Sequence, residues 1–312
     1  MNYEFDAISR LFQTRATYTN PLTQLANGDD ASVHHIPDDM ALVMSTDTAV
    51  SGVHWPEDMP LEIAGHRAVC AALSDLAAMG AKATWVWLAV MAKDTISLQQ
   101  MSRGIIDACN TFHVELAGGD TVSSATNTVS VTVGGLVPKT TAMTRSGAMR
   151  EDEVWIFGDL GLSAMGLEQW LAGKHDGHCL SSFKTILPLL DIGEQIRALG
   201  IRACIDISDG LLQDAEHIAK ASAIQMNINV EQLQELPSFK TLADINKKKA
   251  LKLTLSGGED YALLFTASPE QHQILQGLGA YCIGNCSEGN TVCLLHEGAE
   301  IEHNVKGYDH FG

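Results

Sequence analysis

Acidic side chains recur in this chain beside glycine, serine and threonine, the company a carboxylate keeps where it meets a cation or a phosphate. Six such groups run along the 312 residues: Gly28-Asp29-Asp30, Ser45-Thr46-Asp47-Thr48, Leu73-Ser74-Asp75-Leu76, Gly118-Gly119-Asp120-Thr121, Asp206-Ile207-Ser208-Asp209-Gly210 and Ser256-Gly257-Gly258-Glu259-Asp260. Hard divalent cations take carboxylate oxygens, and magnesium completes its octahedron with substrate phosphate oxygens. Glycine lets the backbone turn tightly and approach a ligand. Taken singly, each group also reads as a turn or a helix cap, since Asp, Ser and Gly favour both. Their repetition, with an Asp where an apolar segment ends, favours the chemical reading.

Asp75 interrupts an Ala- and Leu-rich helical pattern from Cys70 to Met79. An unpartnered carboxylate there would be costly, so it either faces solvent or meets a metal or a partner. Asp206 and Asp209 are three apart across an expected strand-to-helix turn and can reach one site. Ser208 or Asp209 would cap the helix that follows, and a helix N-terminus also attracts phosphate. Arg145 is the best cationic candidate for a phosphate clamp, while His54 and Trp55 are placed to line a pocket. Tyr308 and Phe311 offer two rings for a flat ligand. Common nucleotide signatures are absent: GGLVPKT (134–140) lacks the Gly before Lys of a P-loop, and Gly158, Gly161 and Gly166 miss the dinucleotide spacing. No nucleophile elbow and no protein-kinase motif set is present.

The elements that must position these residues alternate between helix and strand. Apolar spacing predicts helices over 3–14, 60–80, 97–112, 192–200 and 211–222. Strands are expected over 41–46, ending at Asp47, over 85–91, 114–117, 129–137, 154–158, 203–207 and after the acidic turn at 256–260. A polar stretch, 138–153, reads as a linker between residues 1–138 and 150–312, and the length itself favours two domains. Lys and Arg total 20 against 38 Asp and Glu, a formal charge of −18. Such acidity argues against nucleic acid and anionic membranes as partners, and the basic run Lys247-Lys248-Lys249 reads as a solvated helix end or loop. Neither a membrane span nor a secretory leader is expected, and seven scattered cysteines without a CxxC pair suit a reducing cytoplasm. An acidic protein can still handle phosphates if divalent cations mediate.

In chain order the pieces GDDA (28–31), STDT (45–48), His54, ALSDLAAMGA (72–81), AGGDT (117–121), TRSGA (144–148), DISDGL (206–211), LSGGEDYALLF (255–265) and KGYDHFG (306–312) resemble the thiamine-monophosphate kinase family. That family sits in the superfamily of aminoimidazole-ribonucleotide synthetase and selenophosphate synthetase. The resemblance implies an α+β chain of two domains: an N-terminal α/β sandwich that binds ATP and magnesium and forms a homodimer through its mixed sheet, and a C-terminal α+β domain completing the active site. It implies several magnesium ions held by Asp30, Ser45, Thr46, Asp47, Asp75, Asp120, Asp206 and Asp209, with Asp75, Asp209 and Asp30 closest to the chemistry. ATP, the co-substrate, would meet Gly119, Asp120, Arg145 and Ser208, with Phe112 near adenine where the family often has Tyr. Thiamine monophosphate would meet His54, Glu259 and Tyr308. The implied reaction is direct in-line transfer of the γ-phosphoryl group to an acceptor that is already anionic, so that positioning and charge neutralisation carry the catalysis.

Other readings stay in view. Selenophosphate synthetase is disfavoured because no Cys with a nearby Lys precedes Gly28, and the hydrogenase-maturation relative because the sequence closes on Phe-Gly. A metal-buffering protein would gather its carboxylates in one short loop, whereas these are dispersed.

Overall fold

The computed structural model describes residues 11–12, 16–174 and 176–301. The opening helix expected over 3–14 and the C-terminal rings of Tyr308 and Phe311 lie outside the described residues, apart from 11–12. The chain divides into two compact units, Met1–Thr140 and Thr141–Gly312.

The first unit opens with a short hairpin, β1 (Thr23–Leu25) and β2 (Val33–His34). It continues through β3 (Met40–Val50), α1 (Leu61–Ala78), β4 (Lys82–Ala92), α2 (Thr95–Thr111), β5 (Glu115–Ser123) and β6 (Thr128–Pro138). The sheet runs in the order β3-β6-β4-β5, antiparallel except for the β4–β5 pair. Alternation along β6 buries Val129, Val131 and Val133, and along β4 it buries Val86, Leu88 and Val90; both helices pack on the sheet. The helices approach so closely that a Cβ on Gly104 would lie 1.8 Å from the Glu62 carbonyl oxygen. Only glycine allows that contact.

Two strands are longer than their apolar runs suggest. The strand expected to end at Asp47 continues to Val50, and the one expected to end at Ala117 continues through Gly118-Gly119-Asp120-Thr121 to Ser123. STDT and GGDT are therefore sheet residues and not loops. Ladder pairing carries polar residues through the strand where local propensity alone would stop it.

The second unit holds a seven-stranded mixed sheet, β13-β12-β9-β11-β7-β10-β8. Its elements in chain order are β7 (Glu153–Phe157), α3 (Leu162–Leu171), α4 (His178–Lys184), α5 (Leu190–Ala198), β8 (Cys204–Asp206), α6 (Leu211–Ser222), β9 (Ile224–Asn229), α7 (Val230–Glu235), α8 (Pro237–Ser256), β10 (Leu263–Ala267), α9 (His272–Gly277), β11 (Tyr281–Glu288), β12 (Val292–His296) and β13 (Ala299–Glu300). A buried cluster that includes Ile156, Ile205, Leu211, Ile218, Met226, Ile228, Leu264 and Ile283 joins sheet and helices. Lys247-Lys248-Lys249 sits inside α8, directly after a non-helical Asn246 at φ −157°. All seven cysteines are unpaired and six are buried. The architecture is mixed α+β, as expected.

Candidate active site

In the first unit the alternation of β3 splits the STDT motif. Thr46 and Thr48 expose their hydroxyls on one face, bonded to Thr132 (2.9 Å) and Ser130 (2.8 Å) of β6. Ser45 and Asp47 occupy the other face, where the Ser45 hydroxyl donates to Asp75 of α1 at 2.5 Å. Period two makes this division unavoidable, and it removes the Thr46 hydroxyl from the set expected to share a metal. Asp75 is only half-buried within its helix, because it looks across to β3. Asp47 is pushed up to about 6, first by desolvation and then by the neighbouring Asp75 carboxylate. Two partly buried carboxylates that repel one another form a pair that a hard cation would neutralise. Magnesium commonly takes one or two carboxylates and completes its shell with phosphate and water oxygens, so the pair fits that ion.

Asp120 does not join them. Register aligns Asp47 with Val131, Leu88 and Gly119, whereas Asp120 lies in the row of Ala89, Ser130 and Thr48. Three strand spacings, roughly 14 Å, separate β3 from β5. Gly119 and Asp120 instead border an open depression floored by Leu88, Val90 and Leu116, with Asn27 and Phe12 at its margin. Asn27 belongs to the hairpin loop that carries Asp29 and Asp30; both acids are exposed, and Asp29 accepts the Asp30 amide at 2.8 Å. Phe112 is placed elsewhere. It caps α2 and packs toward His66 with centroids 6.4 Å apart. Phe112 is not among the residues that line the depression, although Leu116, four residues on, is. His54 accepts the Val50 amide through Nδ1 at 3.0 Å, which leaves the proton on Nε2. Trp55, expected beside it in a pocket, is buried in the core.

The second unit gathers its own set. Thr144 pins the TRSGA loop to the edge of β8: its amide donates to Arg202 and its carbonyl accepts from Cys204. The Ser222 hydroxyl ties the same loop through Gly147, Ala148 and the Arg145 carbonyl. Arg145 is thereby held exposed; burial first and then the Arg145 charge lower the pKa of His217, with Asp209 opposing them. Asp206 is buried at the end of β8, and Asp209 is half-buried and accepts from Gln213.

The cap of α6 differs from expectation. The amides of Ser208, Asp209 and Gly210 all donate to Asp214, at 3.1, 3.1 and 3.2 Å. Gly210 is the N-cap, so neither Ser208 nor Asp209 caps the helix, and the three amides that precede it are engaged by Asp214. Desolvation outweighs those three donors and pushes Asp214 up to about 7. Ser208 keeps only its hydroxyl for a ligand. The acidic glycine turn docks on the same loop: the Glu259 amide donates to the Ser208 carbonyl at 2.8 Å, and Glu259 itself has φ +60°. A Cβ on Gly258 would lie 2.6 Å from that carbonyl, so the turn closes only on glycine. Asp260 leaves the acidic set, because it accepts from Gly161 (2.6 Å) and Ser163 (3.2 Å) at the start of α3.

Sequence reasoning missed Asp214, Gln213 and His217. Gln213 and His217 stand four apart on α6, a spacing that marks one helix face; the role of Asp214 had no local signal, since an acid in a first helical turn is common. Among the described residues no three His, Cys, Asp or Glu side chains converge closely enough to hold a metal by themselves.

The family model for "AIR synthase related protein, N-terminal domain" matches residues 28–137, the stretch that carries Asp47, Asp75, Gly119 and Asp120. The chain is 34% identical to the thiamine-monophosphate kinase of Escherichia coli (strain K12) over 326 aligned positions, covering 99% of this chain and 98% of that one. It belongs to the thiamine-monophosphate kinase family. The crystal structure of the thiamine-monophosphate kinase from Stenotrophomonas maltophilia K279a is similar, with a TM-score of 0.81 and 29% identity over 94% of this chain and 97% of that one. A chain described as AaThiL complexed with AMPPCP and TMP follows at TM-score 0.79 and 27% identity, over 99% and 96%.

Proposed function

We propose that this protein uses ATP to phosphorylate thiamine monophosphate, giving thiamine diphosphate by direct in-line transfer with several magnesium ions. The Asp47–Asp75 pair carries the reading: two neighbouring, partly desolvated carboxylates are a liability in a protein of charge −18 unless cations occupy them. When bound, magnesium supplies charge neutralisation to the phosphates. The chain's own residues do the positioning. Asp30, Ser45, Asp47, Asp75 and Asp120 serve the nucleotide's metals in the first unit, and Asp206 and Asp209 serve those of the second. In the first unit Gly119 and the depression it borders are assigned to ATP, and in the second unit Arg145 and the Ser208 hydroxyl are assigned to phosphate. His54, Glu259 and Tyr308 are assigned to thiamine monophosphate. The wide separation of Asp47 and Asp120 suits distinct ions along a polyphosphate better than one shared ion.

A homodimer through the exposed face of the first sheet accompanies this reading, supported by Leu42 and Met44, which are 43% and 55% exposed there. A cytoplasmic location fits as well; no helix among the described residues is long and apolar enough to cross a membrane. The direct test incubates the protein with magnesium, ATP and thiamine monophosphate and follows thiamine diphosphate. Asp75→Asn and Asp209→Asn should each lower turnover by about 10²–10³-fold, the scale of losing one electrostatic group at a reacting centre, with unchanged circular dichroism. Near-normal turnover at saturating magnesium would remove those residues from the chemistry.

A further inference from the structure

The hairpin that carries Asp29 and Asp30 is fastened to the sheet by a closed set of polar contacts. Thr23 of β1 and His34 of β2 are register partners, and the loop between the strands, 26–32, holds the acidic pair. The Thr23 hydroxyl donates its single hydrogen to Glu115 of β5, which is 4% exposed and also accepts the Asn20 amide. The two lone pairs of Thr23 must therefore be filled by donors. Trp85 Nε1 supplies one at 2.9 Å and His34 Nδ1 the other at 3.2 Å. With the proton on Nδ1, the neutral ring offers Nε2 as acceptor, and the Ser32 hydroxyl lies 2.8 Å from it. Ser32 in turn accepts from Trp87 Nε1 at 2.9 Å. The imidazole is wedged against both indoles, 4.6 Å from Trp85 and 5.3 Å from Trp87 by ring centroids. The contacts form a directed chain, Trp87 to Ser32 to His34 to Thr23 to Glu115, in which each hydrogen has one assignment.

We propose that Thr23, Ser32, His34 and Glu115 are positioning residues that clamp both ends of the 26–32 loop to β4 and β5 and so hold Asp30 for its metal. None of them touches substrate or metal in this role. Ser32 sits two residues after Asp30, and Asn27 at the other side of the loop borders the depression of Gly119 and Asp120. An acid on a loose seven-residue loop would have to be ordered by each arriving ion; a clamped one is ordered beforehand. The metal role of Asp30 rests on the function proposed above, whereas the clamp itself does not.

Thr23→Val keeps the shape and removes the hydroxyl, and Thr23→Ser keeps the hydroxyl. Amide hydrogen exchange of the ligand-free full chain, read on peptides spanning 26–32, should quicken about tenfold in Thr23→Val and match the parent in Thr23→Ser. In the kinase assay Thr23→Val should raise the half-saturating magnesium concentration about tenfold, the usual effect of losing an outer-shell support, with KM for thiamine monophosphate within twofold. Unchanged exchange in Thr23→Val, or equal shifts in both variants, overturns the clamp. A lower melting temperature with an unaltered magnesium requirement would reduce it to ordinary packing and overturn the positioning role. Quickened exchange in Thr23→Val, alongside a parent that makes no thiamine diphosphate, would sustain the clamp and dismiss the kinase reading.

Discussion

Asp47 is the residue whose environment most constrains its chemistry. Its carboxyl titrates near 6 in the folded chain against an ordinary 3.8, because desolvation and Asp75 both disfavour the charge. Between pH 4 and 6 the native state keeps a proton that the unfolded chain has released, so stability falls as pH rises through that window and stays lower above it. Asn at this position removes the penalty. In metal-free buffer Asp47→Asn should be more stable than the parent at pH 8 by about 3 kcal/mol, and the two should converge below pH 4. Urea unfolding at pH 8, 6 and 4 reads the difference, and a gap independent of pH would contradict the account. The same substitution should weaken magnesium-dependent turnover, separating what is good for the fold from what is good for the site.

At the scale of elements, glycines decide how closely the carboxylate-bearing segments approach. The α1–α2 contact at Gly65 and Gly104 leaves no room for a methyl group: ideal Cβ atoms would stand 2.4 Å from the Met101 carbonyl and 1.8 Å from that of Glu62. Gly104→Ala gains about 1 kcal/mol of helix propensity but must push α2 away from the helix that presents Asp75. A net loss of about 2 kcal/mol is expected from overpacking, measurable by thermal unfolding; a variant as stable as the parent would place the helices further apart than they stand here. The Gly258 turn works on the same principle in the second unit, where it lets Glu259 and Ser208 share a backbone hydrogen bond. Apolar periodicity revealed most of these elements, but it ended β3 and β5 too early. A strand that continues on ladder bonds with polar side chains on one face has no hydrophobic run to announce it.

Across the whole molecule, 38 acids against 20 bases set the cation requirement. Without nucleotide the paired carboxylates offer an ion few ligands, and among the described residues no larger cluster is present. Calorimetry should therefore show weak magnesium binding to the protein alone and a stoichiometry that rises when ATP supplies phosphate oxygens. A magnesium isotherm indifferent to ATP would favour a metal buffer. Sedimentation checks the proposed dimer, with Met44→Glu on the exposed sheet face expected to shift it toward monomer.

The acidic motifs, their order along the chain and the resemblance they carry were legible from residue types and spacing alone, because cation and phosphate chemistry draws on few side chains. The α+β alternation was legible too, since burial imposes its period locally. Which acids act together was not. Asp75 reaches the β3 face that carries Asp47 through a hydrogen bond from Ser45, 30 positions away in the chain, while the neighbouring Thr46 is turned away by the pleat and Asp120 stands out of phase across the sheet. Asp214 and Asp260, no different in sequence from the others, are drawn to backbone amides. Register and helix docking settle such partnerships, and both depend on contacts between residues far apart in the chain.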